Sequence, residues 1–309
     1  MRIIFFSQRK INDSLTAFQL FFSRDENDFF CSILLQLKKI LRYLRFNHLI
    51  LYFWFIKNSY MLKRERQEFI LHQINLHNKV LSTDLSGQIN VSDDTIRRDL
   101  QYLSDIGKII KIHGGALSPS FHNGQHSSKE VYGYNQKKMI AQKAASLIKD
   151  GMFILTSGGT TIIELARALP LELNATFISG SIPALFEYIR HPNIEVIAIG
   201  DKISKNSKIT VGAEAISRIH ELKVDLCFLG VNAINLENGV SDNDWEVVQI
   251  KKAMVASAKK LVCLTISEKI NTQQPLQICE SKRIDTLITE LFPDDEVLKP
   301  YKAAGINVI

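Results

Sequence analysis

Two groups of residues in this chain are spaced for chemistry. In the first, Arg97 and Arg98 lie early in an amphipathic stretch, with Lys108, Lys111 and His113 close behind. Guanidinium and ammonium groups concentrated in this way suit a polyanion, and Ser92, Thr95 and Tyr102 add hydroxyls along the same stretch. The second group is Thr156-Ser157-Gly158-Gly159-Thr160-Thr161. Its glycines let backbone amides approach an anion, its hydroxyls add donors, and a helix starting here turns its positive end toward the site. A phosphate-sized pocket is the chemistry implied; an ordinary strand-to-helix turn is the alternative that the same residues allow. Ser179 and Lys269, each near another strand end, are candidates to complete such a pocket, with Lys251 as a further cation. Either lysine also reads as a surface residue.

Other reactive side chains form no constellation. Cys31, Cys227, Cys263 and Cys279 show no C-x-x-C or zinc spacing. Cys227 and Cys263 sit in apolar strand-like runs, as reduced core thiols do, which suits a cytoplasmic protein. His113, His122 and His126 lack supporting cysteine or carboxylate spacing. No metal and no cofactor are expected.

The elements that must position the basic group read clearly. Ser92 is placed to cap a helix, and Asp93 and Asp94 put negative charge at its positive end. Ile96, Leu100 and Leu103 form one apolar stripe, with Arg98 opposite and Thr95, Arg97 and Tyr102 on the flanks. Gly107 ends this helix, residues 109–112 form a short strand, and Gly114-Gly115 reads as the hairpin turn to a second strand. Upstream, Ser82 is placed to cap a short helix over residues 83–89, broken at Asn90. Residues 62–78 carry Leu62, Phe69, Ile70 and Ile74 at roughly helical spacing. Three helices and a hairpin over residues 61–117 predict a winged helix-turn-helix whose last helix reads double-stranded DNA.

The net charge of +6 is not part of that argument. Lys plus Arg against Asp plus Glu stands at 9 against 4 in residues 1–60, 8 against 7 in 61–118, and 21 against 21 in 119–309. The excess belongs to the first 60 residues, which also hold ten of the seventeen phenylalanines. The apolar run 49–56 in that segment is too short to span a bilayer, and its charged and apolar blocks come in the wrong order for a signal peptide. A membrane-surface helix, a partner-binding extension and a start codon placed too early all remain open. The last is preferred, because Met61 is followed directly by LKRERQEFIL.

Residues 118–136 have linker composition. From 137 to 309 the pattern alternates, with helices predicted over 140–148, 161–169, 182–189, 213–222 and 245–259. Strands are predicted over 152–155, 175–178, 194–199, 224–230, 261–266 and 286–288. Short apolar runs between amphipathic helices imply a buried, mostly parallel sheet in an α/β domain.

Residues 91–116 resemble the signature of the DeoR family of bacterial transcription regulators. The matching positions are Ser92, Thr95-Ile96-Arg97-Arg98-Asp99-Leu100, Leu103, Gly107 and His113-Gly114-Gly115-Ala116. The resemblance runs from about Met61 to the C-terminus and leaves residues 1–60 unexplained. It implies an open-sheet sensor domain similar to ribose-5-phosphate isomerases and coenzyme A transferases, with a phosphorylated sugar held at Ser157, Gly158, Thr160 and Thr161. Thr156 replaces the family's usual acid, Ser179-Gly180-Ser181 its Thr-Asn-Ser, and Gly200-Asp201 its Gly-Gly. Ile266-Ser267-Glu268-Lys269 replaces its Asp-Ser-Ser-Lys. Losing two acids implies a changed ligand.

The expected function is therefore a DNA-binding regulator, a repressor of a carbohydrate operon, acting as at least a dimer and released by a phosphorylated metabolite. The alternative is a sugar-phosphate isomerase with an attached DNA module. It lacks a base, because Asp242, Asp244, Glu246 and Glu268 have no partner evident in the sequence. Coupling between ligand and DNA is expected to pass through subunit geometry, since the linker composition is too flexible to transmit strain.

Overall fold

The computed structural model describes residues 61–119 and 131–309. The readings of residues 1–60, and those of Cys31, His122 and His126, lie outside the described residues. By its contacts the chain divides into Met1–Lys63 and Arg64–Ile309, and the elements below belong to the second unit from Arg64 onward.

The DNA-reading module begins with α1 (Lys63–His77), β1 (Lys79–Leu81) and α2 (Ser82–Ile89). It continues with α3 (Asp93–Asp105), β2 (Ile110–Ile112) and β3 (Gly115–Leu117). Ile70, Ile74, Leu85, Ile96, Leu100, Leu103 and Ile109 close its core. Ser92 caps α3 as expected, its hydroxyl accepting from the Thr95 amide at 3.3 Å. Gly107 takes a left-handed φ of +71°, and the Lys108 amide then returns to the Leu103 carbonyl at 2.9 Å.

Four details differ from expectation, the first being β1, a strand absent from the sequence reading. Ser82 does not cap α2: it is the first helical residue, buried, with its amide donating to the Gly114 carbonyl at 2.8 Å. Leu62 precedes the first helix and is exposed. The hairpin turns on His113-Gly114, with Gly114 at φ +73°, while Gly115 already belongs to β3. A Cβ on Gly115 would stand 2.0 Å from the Val80 carbonyl oxygen, because β3 lies between β2 and β1 in a three-stranded antiparallel sheet.

The α/β domain runs α4 (Tyr134–Ala145), β4 (Phe153–Thr156), α5 (Thr160–Arg167), β5 (Thr176–Ser179), α6 (Ile182–Tyr188) and β6 (Glu195–Ala198). A hairpin of β7 (Lys202–Ser204) and β8 (Ile209–Val211) follows, then α7 (Ala213–Glu221) and β9 (Val224–Gly230). Next come β10 (Ala233–Asn235), β11 (Gly239–Asp242), α8 (Trp245–Ser257), β12 (Ala258–Leu264), β13 (Leu276–Cys279) and β14 (Thr286–Ile288). α9 (Lys299–Ala303) and β15 (Asn307–Val308) end the chain.

Seven strands form one parallel sheet in the order β15-β14-β12-β9-β4-β5-β6. Alternate residues feed two core layers. Leu155, Ile178, Cys227, Leu229 and Cys263 pack in one, and Ile154, Phe177, Phe228, Val262 and Leu264 in the other. β10, β11 and β13 form a separate antiparallel sheet, absent from the sequence reading, as were β7, β8 and β15. Because β4 comes first and sits centrally, the chain winds outward in both directions from the β4–β9 junction. Open sheets of this kind bind ligands at the carboxyl ends of the strands beside such a reversal.

Candidate functional site

On the DNA-reading module, the buried stripe of α3 leaves Arg97, Arg98 and Tyr102 exposed, with Ser92 exposed and Thr95 half-buried at its start. Lys108, Lys111 and His113 are exposed beside them, and the Lys111 ammonium donates to the Gln101 side chain at 2.8 Å, joining wing to helix. All eight residues named from sequence thus lie on α3, the wing or the turn between them. Asp99, in the same motif, points the other way. It is buried and accepts from Arg66 at 2.5 Å and Gln67 at 2.9 Å, fixing α3 to α1.

The second site is a cleft of about 140 Å³ at the β4–β9 reversal. Its floor is the turn Thr156–Thr161, with Val231 and Asn232 following β9 on the other side. Gly159 sits at φ +112°, a conformation closed to side chains, and α5 starts directly after it. A Cβ on Gly158 would meet Ile209 at 2.7 Å. The Ser157 hydroxyl accepts from the Gly230 amide at 2.8 Å, tying β4 to β9. Thr156, where an acid was expected from the resemblance, accepts a hydrogen bond from Tyr188 at 3.2 Å.

Three buried lysines line the cleft: Lys137, Lys251 and Lys269. Lys251 donates to Asp242 at 2.7 Å and to the Gly230 carbonyl at 2.9 Å. Burial alone would raise the Asp242 carboxyl, but Lys251, the Asn243 amide and Asn232 outweigh it and hold that carboxyl below its usual range. Burial, with repulsion from Lys137 and Lys251, brings the Lys269 ammonium down to about 7 against the pull of Asp242 and Glu268. Burial likewise lowers Lys137 to about 8, against the pull of Glu164 and Glu268. Lys269 makes one long bond, 3.4 Å to the Val231 carbonyl. The buried Ser207 hydroxyl on the β7–β8 turn, also lining the cleft, has no hydrogen-bond partner among the described residues. Cations and an unpartnered hydroxyl converge here, an arrangement suited to an anion.

The cleft gathers Ser157, Gly158, Gly159, Thr160, Thr161 and Lys269 as the sequence proposed. Ser179 stands apart. It is fully buried and off the cleft, donating to the Thr156 carbonyl at 3.0 Å and accepting from the Ser181 amide at 3.2 Å. Sequence reasoning missed Lys137, Ser207, Asn232 and Asp242. Asn232 was open to discovery, because it follows one of the two longest strands, at the ligand-binding end of the sheet.

The four carboxylates without evident partners all have one. Asp242 meets Lys251, Asp244 meets Lys79 at 3.2 Å, Glu246 meets Lys202 at 2.7 Å, and Glu268 accepts from Tyr132 at 2.7 Å. Cys227 and Cys263 are buried core thiols, and burial pushes Cys227 up to about 12. Among the described residues no helix is long and apolar enough to cross a membrane.

Comparison with known proteins places both sites in one context. The DeoR-like helix-turn-helix domain matches residues 66–121 and the DeoR C terminal sensor domain matches residues 133–291. The chain is similar to the HTH-type transcriptional regulator GolR of Listeria innocua, at 30% identity over 80% of this chain and 98% of that protein. It is equally similar, at 30%, to the HTH-type transcriptional repressor GlcR of Bacillus subtilis, over 81% of this chain and 96% of GlcR. The putative aga operon transcriptional repressor of Escherichia coli O157:H7 is 28% identical over 79% and 93%. Among solved structures, ribose 5-phosphate isomerase A from Neisseria gonorrhoeae is a distant match, with 16% identity and a TM-score of 0.34 over 45% of this chain and 54% of that one.

Proposed function

We propose, because this chain belongs to the DeoR family of DNA-binding transcriptional regulators, that it represses a carbohydrate-metabolism operon in the cytoplasm and releases its operator on binding a phosphorylated sugar or similar anion. The observation carrying the effector class is the convergence of Lys137, Lys251 and Lys269 on a glycine turn at a helix start. Such a site offers lysine side chains and the amides of a helix start to a phosphate. The names of GlcR and of the aga operon repressor support a sugar connection for the ligand. Because one recognition helix reads only a few base pairs, the active form is at least a dimer on repeated half-sites.

An isomerase reading has less support. Its base would have to be a cleft carboxylate, and Asp242 is held ionised by Lys251, which makes it a poor proton acceptor.

The test is binding of the full chain to DNA from upstream of the genes it neighbours, with and without inorganic phosphate, ribose 5-phosphate, fructose 1-phosphate and glucose 6-phosphate. At least one probe is expected to weaken DNA binding, and Gly158→Val, which drives a side chain into Ile209, is expected to abolish that response. A probe that still binds Gly158→Val puts the effector site elsewhere. Aldose–ketose turnover of any probe would favour the enzyme.

A further inference from the structure

The cleft is not built by the sensor domain alone. His77, Asn78, Lys79 and Leu117, all from the DNA-reading module, form part of its wall. α1 ends at His77, Asn78 takes a left-handed φ of +62°, and the chain turns there into β1. At this turn the two domains are joined by specific bonds. His77 Nδ1 lies 2.9 Å from Asn232 Oδ1, Lys79 Nζ donates to Asp244 at 3.2 Å, and the Asn243 side chain donates to the Lys79 carbonyl at 3.0 Å. Leu76, one residue earlier, is buried in the sensor domain's core with Ile140 and Ile266. These bonds join the two domains directly within one chain, a route that the sequence reading, with its expectation of coupling through subunit geometry, did not include.

That path is stiff on one side and replaceable on the other. Lys79 pairs with Leu117 in the β1–β3 ladder, and α2 follows β1 without a break, so the Lys79 backbone cannot shift without the wing and the helix-turn-helix. Asp244, by contrast, does not depend on Lys79. It caps α8 through the Val247 amide at 3.4 Å and is partly exposed, so losing the lysine leaves no orphaned buried charge. The Lys79–Asp244 separation also exceeds the 2.7–2.9 Å of a tight charge-assisted bond. His77 connects onward through Asn232, which donates to Asp242 at 3.1 Å, to Lys251.

Building on the reading of this cleft as an anion site, we propose that the site is shared between domains: Lys79 and His77, carried by the DNA-reading module, contact the effector, which draws Lys79 from Asp244 and so moves the wing and recognition helix relative to the sensor domain. The charged groups acting on His77 are Lys269 and Asp242. With burial foremost, the imidazole is held down to about 4. A bound anion facing His77 adds the opposite charge and raises it.

Two measurements on the full chain test this, with inorganic phosphate and the three sugar phosphates named above as probes. Calorimetry on Lys79→Gln is expected to show a dissociation constant raised about tenfold for the probe that binds wild type, the loss of roughly one charge contact. The same probe is expected to lose most of its effect on DNA binding. Because that variant can misfold, the second measurement is on wild type: the His77 imidazole is followed by NMR against pH, with and without saturating probe, and its pKa is expected to rise by at least one unit. A probe that binds wild type but leaves the His77 titration unmoved, or binds Lys79→Gln equally well, overturns the shared site and leaves the sensor-domain site intact. Failure of every probe to bind wild type removes the anion reading itself, and the shared site with it.

Discussion

Arg98 and Lys269 stand for the two kinds of cation in this protein, one in water and one buried. Arg98 is exposed on α3, and in our reading its guanidinium meets base edges. Arg98→Ala is expected to cost roughly 1–3 kcal/mol of operator affinity and to relax specificity, whereas Lys111→Ala weakens all DNA alike and lowers the salt slope by about one. Fluorescence anisotropy on operator and scrambled duplexes separates the two; normal operator binding by Arg98→Ala would displace α3 from the major groove. Lys269 behaves differently because burial and its lysine neighbours bring it from 10.5 down to about 7. Above pH 7 it is neutral, so an anion must recruit a proton to meet an ammonium there. Phosphate monoesters are already largely dianionic above about pH 6. Affinity is therefore expected to fall as pH rises from 7 to 9, by at most about tenfold per pH unit for each lysine that takes up a proton. Calorimetry in buffers of different ionisation enthalpy counts those protons, and pH-independent binding with no proton uptake would exclude Lys269 from the contact. Between pH 7 and 10.5 the unfolded chain holds a proton on Lys269 that the folded chain does not. Stability consequently rises with pH across that window.

At the scale of elements, the motif that names the recognition helix also anchors it. Asp99 interrupts the exposed basic face to reach Arg66 and Gln67 on α1. Asp99→Ala removes two charge-assisted hydrogen bonds and is expected to cost about 2–4 kcal/mol of stability. Chemical denaturation, compared with Arg98→Ala as an exposed control, measures it; a change within 0.5 kcal/mol, the range of surface substitutions, would mean that the α1–α3 brace is dispensable. What was legible in sequence follows from range. The capped helix, the Gly107 stop and the strands Val224–Gly230 and Thr286–Ile288 depend on neighbours a few residues away, and they stand where periodicity put them. Strands of three or four residues such as β7, β8 and β10 leave no periodic trace. Ser82 was read as a cap from its type, but the Gly114 carbonyl, brought close only by the wing, engages its amide instead. Lys137, Asn232 and Lys251 converge solely because the sheet reverses between β4 and β9, which no local pattern announces.

For the whole molecule, the domains are joined more closely than linker composition suggested, through Leu76, His77 and Lys79 on one side and Asn232, Asn243 and Asp244 on the other. The three buried lysines have a consequence that reaches past DNA. Holding three lysines away from water opposes folding despite the pull of Asp242, Glu164 and Glu268, and a bound anion is expected to relieve that opposition. The melting temperature of the full chain is expected to climb with effector concentration, in step with about 2.7 kcal/mol at a hundredfold excess over the dissociation constant. A calorimetric scan that does not move with a binding probe would contradict this. In a cell, marginal stability translates into exposure to proteases. Chains made while the effector is scarce are therefore expected to be cleared fastest, so that a metabolite opening the operator would also prolong the life of the protein that later closes it.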